Sequence, residues 1–123
     1  MIVIIEDDLV FVKNIVAKLN KEGISEIKVF NSIQSYTHTD AFLYLIDIKL
    51  EENSFDLISK ISKDKKGIIC VVSSYSEKEY IKVCFQNWAD IYINKIIEPY
   101  LYIYKVIWLY NLWKKLHSLQ NKK

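Results

Sequence analysis

The chain has 123 residues, 51% of them hydrophobic and 26% charged, which suits one domain with a real core and is too short for two. The formal charge is +2, all 17 basic residues are Lys and Arg is absent, so neither net charge nor the usual guanine-reading side chain argues for nucleic acid. With only 2 Gly and 1 Pro, phosphate-cradling and dinucleotide glycine loops are excluded, and the high apolar content argues against disorder.

Ile2 to Ile5 is a short β-branched run and predicts the first strand. Leu9 to Leu19 reads as a helix, with apolar positions at Leu9, Val12, Val16 and Leu19 and a stop at Gly23. Ile27 to Phe30 is a second strand, followed by a weak helical segment around Ser32 to Tyr36. Phe42 to Ile46 is apolar throughout, as expected of a strand covered on both faces. A short helix at Phe55 to Ile61 ends at Lys65-Lys66-Gly67, and Ile68 to Val72 makes the fourth strand. Ser76 and Glu79 have capping-box spacing for a helix reaching about Asn87. Ile91 to Ile93 is the fifth strand, and Pro99 opens the last helix at a favoured first-turn position.

Five strands alternating with five helices predict an α/β domain built on a parallel sheet covered on both sides. No linker divides residues 1–123, so a single domain is expected. Cys70 and Cys84 form neither a disulfide framework nor a metal motif, and Cys70 in its apolar run reads as a buried thiol. The segment Met1 to Asp8 lacks the basic region and cleavage site of a signal peptide. Glu98, Pro99 and Lys105 interrupt the apolar stretch near the C-terminus, so no membrane span and a cytoplasmic location are expected.

In open parallel sheets a ligand sits beyond the carboxyl ends of the strands, where the strand order reverses. Glu6, Asp7 and Asp8 follow the first strand and Asp47 the third; Ser73 and Ser74 follow the fourth, and Lys95 the fifth, with Tyr92 three residues earlier. Three carboxylates with a backbone carbonyl make a hard oxygen site of the kind that holds Mg²⁺. A Lys and a hydroxyl opposite the metal complete a site for a phosphoryl group, with one carboxylate available as nucleophile. Each residue also has a plain reading. Asp7 or Asp8 caps the first helix, Ser73 and Ser74 are turn residues, Lys95 is a solvated loop lysine, and Tyr92 is an edge-strand aromatic. Asp47 is harder to explain so, because it directly follows five apolar residues, and the helix it would cap begins several residues later.

At these residues the sequence resembles the receiver domain of two-component response regulators. The matching stretches are residues 2–8 (Ile-Val-Ile-Ile-Glu-Asp-Asp), 43–47 (Leu-Tyr-Leu-Ile-Asp), 71–74 (Val-Val-Ser-Ser) and 89–95 (Ala-Asp-Ile-Tyr-Ile-Asn-Lys). The resemblance implies a flavodoxin-like doubly wound sheet of order 2-1-3-4-5, with Asp47 as phosphoacceptor. It further implies Mg²⁺ held by Glu6, Asp7, Asp47 and the backbone carbonyl of Lys49, and phosphoryl oxygens held by Ser73 and Lys95. Ser73 and Tyr92 would form the switch, and the phosphodonor would be a sensor histidine kinase or phosphotransfer protein. Such a domain signals rather than turning over substrate, so it is not expected to be an enzyme in its own right. The alternatives are a phosphorylation-independent interaction module, or the receiver part of a DNA-binding regulator. A metal-dependent nuclease-like or phosphatase-like enzyme is a third reading, but neither His38 nor His117 follows a strand.

The chain departs from the family at its turns. Ile96 stands after Lys95 where the family has Pro, and a cis bond there would cost about 2.5–4 kcal/mol, so trans is expected. The loop after Asp47 lacks Pro and Gly, Ser74 replaces a common Ala, and Trp88 replaces the Gly before Ala89. Lys49 and Tyr75 are expected at the mouth of the site, shielding the acyl phosphate from water.

In the last helix, expected over about 99–119, Tyr102, Val106, Leu109, Trp113 and Leu116 form a packing face. Tyr100, Tyr104 and Trp108 lie on the opposite side and suggest a contact with an output protein or a second copy, and the resemblance implies signalling through the surface of the fourth helix, fifth strand and fifth helix, which includes this stripe. Residues 120–123 are a candidate linker.

Overall fold

A computed structural model describes residues 1–48, 52–64, 67–74, 78–95 and 101–121, without the side chains of 52–54, 101 and 119–121. Its elements run β1 (Ile2–Ile5), α1 (Leu9–Lys21), β2 (Ile27–Phe30), β3 (Leu43–Asp47), α2 (Glu52–Lys63), β4 (Ile68–Ser73), α3 (Lys78–Gln86), β5 (Ile91–Asn94) and α4 (Leu101–Asn121). The sheet is parallel with order β2-β1-β3-β4-β5. The order reverses at β1 and β3, whose registers align Ile5 with Ile46 and so bring Glu6 and Asp47 to one rim.

Alternate residues of each strand point to opposite faces, and the core divides accordingly. Val3, Ile5, Tyr44, Ile46, Ile69 and Val71 pack with Leu57, Ile58 and Ile61 of α2 and Tyr80 and Cys84 of α3. Ile2, Ile4, Leu43, Leu45, Cys70 and Val72 pack with Ile15 and Leu19 of α1 and Tyr102, Ile103, Val106 and Leu109 of α4. Cys70 is fully buried and reduced, as its run suggests. The seam of α1 begins at Phe11 and Val12; Leu9 itself is exposed.

Asp8 caps α1, its Oδ1 accepting from the amides of Val10 and Phe11 at 3.0 and 3.1 Å. The helix ends in a Schellman turn: Gly23 N–H donates to Asn20 O and Ile24 N–H to Leu19 O, with Gly23 at φ +82°.

The expected helix at Ser32–Tyr36 is not formed. Among the described residues there are four helices, and residues 31–42 carry only turns between β2 and β3. Ser, Thr, Asn and Asp dominate this stretch, and their side chains bond locally to the backbone in competition with helix. The Ser32 and Ser35 hydroxyls each accept the other's amide, at 3.1 and 3.2 Å, closing a single turn. Tyr36 then packs edge-on to Phe30 at 5.2 Å. The Tyr44 hydroxyl donates to Thr39 O at 2.7 Å and accepts from Ala41 N–H at 3.1 Å, fixing the return into β3.

The 21 residues of α4 make a rod of about 30 Å at 1.5 Å per residue. Tyr102, Val106 and Leu109 are buried and Trp113 half-buried, stacked on Phe42 at 4.2 Å. Beyond that the helix runs clear of the core, with Lys114 to Ser118 all exposed, Leu116 among them. Among the described residues no helix is long and apolar enough to cross a membrane.

Candidate functional site

The carboxyl-end rim gathers residues from four strands. Glu6 and Asp7 leave β1, Asp47 closes β3, Ser73 closes β4, and Lys95 follows β5. Carboxylate oxygens of Glu6, Asp7 and Asp47 lie within 4.8 Å of one another. Ser73 follows Val72, the register partner of Asp47, and its carbonyl accepts the Lys95 amide at 2.8 Å. Asp8 is spent on the cap of α1 and stands apart from the cluster.

The ammonium of Lys95 pairs with Glu6 Oε1 and lies 3.4 Å from Asp47 Oδ2. Glu6 is 3% exposed, and its second oxygen, Oε2, is buried without a hydrogen-bond partner. Burial pushes the Glu6 carboxyl up to about 8, the neighbouring Asp47 carboxyl adds to this, and Lys95 opposes it. A buried carboxylate oxygen left bare beside two further carboxylates is what a divalent cation would neutralise, and a donor set of oxygens alone suits a hard ion. The residues present therefore fit a metal, with Glu6, Asp7 and Asp47 as its side-chain ligands.

The Ser73 side chain is fully buried, and the half-buried Tyr92 hydroxyl shares a hydrogen bond with it. That bond lowers the Tyr92 pKa, while burial, the larger cause, raises it. The pair connects the rim to the face covered by α2 and α3, where Tyr92 packs.

A cavity of about 180 Å³ opens between the carboxylates and the turn at Asn31 to Gln34. Asn31, Ser32 and Gln34 thus wall the site, which sequence reasoning missed because it expected a helix there. Phe11 was also missed: its ring lies 4.3 Å from the Lys95 ammonium. Its signal was faint, an aromatic in the first turn of the helix that follows the acidic residues.

Lys49, Tyr75, Ile96, Pro99 and Tyr100 lie outside the described residues, as does Ser76 of the expected capping box. Tyr104 and Trp108 are exposed on α4 as expected, at 65% and 58%. Trp88 sits at φ +74°, the left-handed region that glycine favours.

No family model and no curated protein sequence matches the chain. Solved structures do. The response regulator DrrB of Thermotoga maritima, an OmpR/PhoB homologue, superposes with a TM-score of 0.72 at 18% identity, over 85% of this chain and 49% of its own. This chain therefore spans about half the length of that protein. The beryllofluoride-activated DrrB receiver domain gives 0.76 at 18% identity, over 89% of this chain and 96% of its own. A CheY-like receiver domain protein of Methanospirillum hungatei gives 0.72 at 23% identity, over 99% and 97%. The fold, a five-stranded parallel sheet of order 2-1-3-4-5, is that of response-regulator receiver domains.

Proposed function

We propose that this chain is a phosphoacceptor receiver domain of a two-component or phosphorelay system, accepting on Asp47. The observation that carries the proposal is the rim itself: Glu6, Asp7, Asp47 and Lys95 converge where the strand order reverses, with one buried carboxylate oxygen of Glu6 left bare. The donor is a phosphohistidine of a sensor kinase or phosphotransfer protein. An Asp47 oxygen attacks phosphorus, the P–N bond breaks, and its electron pair stays on the donor imidazole. The Lys95 ammonium turns from the carboxylates to a phosphoryl oxygen as negative charge builds there, and the Ser73 hydroxyl donates to another. Glu6, Asp7, Asp47 and the Lys49 carbonyl would hold Mg²⁺, which would supply charge neutralisation at the phosphoryl group. The solved relatives include a manganese-bound form and a phosphorylated aspartate with calcium.

Taking up the phosphoryl group draws Ser73 from its bond with Tyr92, and the freed tyrosine shifts the population of two conformations. The output is a partner protein or a second copy received on the surface of α3, β5 and α4, where Tyr104 and Trp108 are exposed. The domain acts as a cytoplasmic signalling element rather than an enzyme, and nucleic acid is not contacted by this domain. Intact mass after incubation with acetyl phosphate and Mg²⁺ tests the reading. The parent gains one phosphoryl group and Asp47→Asn gains none. No gain in either overturns it and leaves a phosphorylation-independent interaction module on the same fold.

A further inference from the structure

Lys95 is the one reactive side chain of the rim that reaches it from the far edge of the sheet, across the mouth of β3 and β4. Its backbone is fixed by the bond to Ser73 O, but its side chain has four rotatable carbons, and 15% of it is exposed. Two carboxylates attract the ammonium, and a third contact is aromatic: the Phe11 ring, at 4.3 Å. A cation this close to a ring centroid is held by the quadrupole of the ring, more strongly where water is partly excluded.

Phe11 is itself held in place twice. Its amide is one of the two that Asp8 caps, which sets the first turn of α1. Its ring stacks on that of Tyr102, with centroids 4.8 Å apart and planes 23° apart, and Tyr102 is buried at 7% exposure. Tyr102 is the second residue of α4, so a chain of two contacts, Lys95 to Phe11 and Phe11 to Tyr102, joins the rim to the start of the last helix.

Building on the receiver reading above, we infer that Phe11 is a positioning residue for Lys95, and that Tyr102 makes the position of that ammonium depend on how α4 is seated. The ring gives the ammonium a station that is not a carboxylate. Without it, Lys95 settles wholly on Glu6 and Asp47, where it competes with the metal and must be pulled off before it can meet a phosphoryl oxygen. With it, the ammonium is shared and can turn. A partner that tilts α4 would move Tyr102, then Phe11, and so alter the acceptance of phosphate from the side of the molecule opposite Tyr92.

The test uses the full chain and two independent readouts. In NMR spectra of the parent, the ε-CH₂ protons of Lys95 are shifted upfield by the Phe11 ring current, and Phe11→Leu returns them to the ordinary lysine position. With acetyl phosphate and Mg²⁺, Phe11→Leu slows phosphorylation about tenfold at saturating donor with the donor KM unchanged, the scale of one cation–π contact. Phe11→Tyr, which keeps the ring, restores the rate; Tyr102→Leu slows it by a smaller factor, and Tyr102→Phe does not. Phe11→Met serves in place of the leucine variant if that does not fold. Equal rates for parent, Phe11→Leu and Phe11→Tyr overturn the inference, as do Lys95 ε protons at the ordinary position in the parent. Equal loss in the tyrosine and leucine variants marks a structural role only, and also overturns it. If the parent accepts no phosphate, the receiver reading fails, and the ring-current comparison alone then decides whether Phe11 holds Lys95.

Discussion

At the carboxyl ends of the strands, three carboxylates and an ammonium crowd within a few ångströms, one carboxylate oxygen is buried and bare, and a cavity stands open beside them. At the amino ends the same sheet closes on aromatic packing. Phe42 stacks on Trp113, Tyr110 leans on Phe42 at 5.2 Å, and the Tyr44 hydroxyl satisfies two backbone groups of the incoming loop. Gly67 is pressed so closely there that a Cβ would stand 2.3 Å from Ala41 O. One rim is crowded with charge and ready to change, while the other is held by ring packing and backbone contact around a groove lined by Phe42, Tyr110 and Trp113. The contrast predicts that removing a carboxylate from the first rim alters chemistry and raises stability, whereas adding bulk at the close contacts of the second lowers stability and leaves the chemistry alone.

Asp47→Asn is the largest test of the first half. It abolishes phosphoryl uptake in the mass measurement, and because it removes one of three mutually repelling carboxylates, its thermal midpoint in metal-free buffer above pH 8, where Glu6 is ionised, rises above the parent's. A fall in midpoint would mean that Asp47 contributes more through Lys95 than it costs through Glu6. Gly67→Ala is the matching test of the second half. The new methyl meets backbone at Ala41 and Phe42 as well as the Tyr44 ring, so neither neighbour can simply rotate away. Denaturant melts are expected to show a loss of about 2–3 kcal/mol, with phosphorylation kinetics intact once folded.

The pH dependence sharpens the first rim further. Glu6 is raised to about 8 when folded against an ordinary value of 4.5, so between these values the folded state holds a proton that the unfolded state has lost. Stability of the metal-free protein therefore falls as pH climbs from about 4.5 towards 8 and levels off above it. Mg²⁺ needs the ionised carboxylate, so its binding near pH 7 releases a proton, and its affinity rises with pH until about 8. Calorimetry in two buffers of different ionisation heat reads that proton, and in Glu6→Gln the release disappears.

How much of this was legible in the sequence follows from the range of the interactions. The central strands β1, β3 and β4 were legible because each is a short apolar run of two-sided burial, and Asp47 because a lone carboxylate ends one of them. The cap at Asp8 was legible as one of two adjacent candidates. Sheet order came from resemblance, since nothing in local pattern says which strands are neighbours. The missing helix after β2 was misread because Ile33 and Tyr36 have roughly helical spacing, while the Ser32–Ser35 bonds that win depend on which local hydrogen bonds close. The contact of Lys95 with Phe11 joins residues 84 positions apart in number, and no periodicity could announce it.

The smallest expected effect lies at two turns on the amino-end rim. Helices α1 and α3 end in the same hydrogen bonds: Gly23 to Asn20 and Ile24 to Leu19 in the first, Trp88 to Phe85 and Ala89 to Cys84 in the second. Both turning residues have positive φ, +82° and +74°, but one is Gly and the other a Trp that is 70% exposed. A side chain in this region costs roughly 1–2 kcal/mol, so Gly23→Ala is expected to destabilise by about 1 kcal/mol. Trp88→Gly relieves the same strain but frees the unfolded chain, which returns about 0.4–1 kcal/mol of the gain. The net is a stabilisation of about 0.5–1 kcal/mol, read as a shift in denaturant midpoint at constant m. A larger gain would mean that the exposed indole makes no stabilising contact at all. A loss would mean that Trp88 packs back on the turn strongly enough to hold a left-handed backbone by itself.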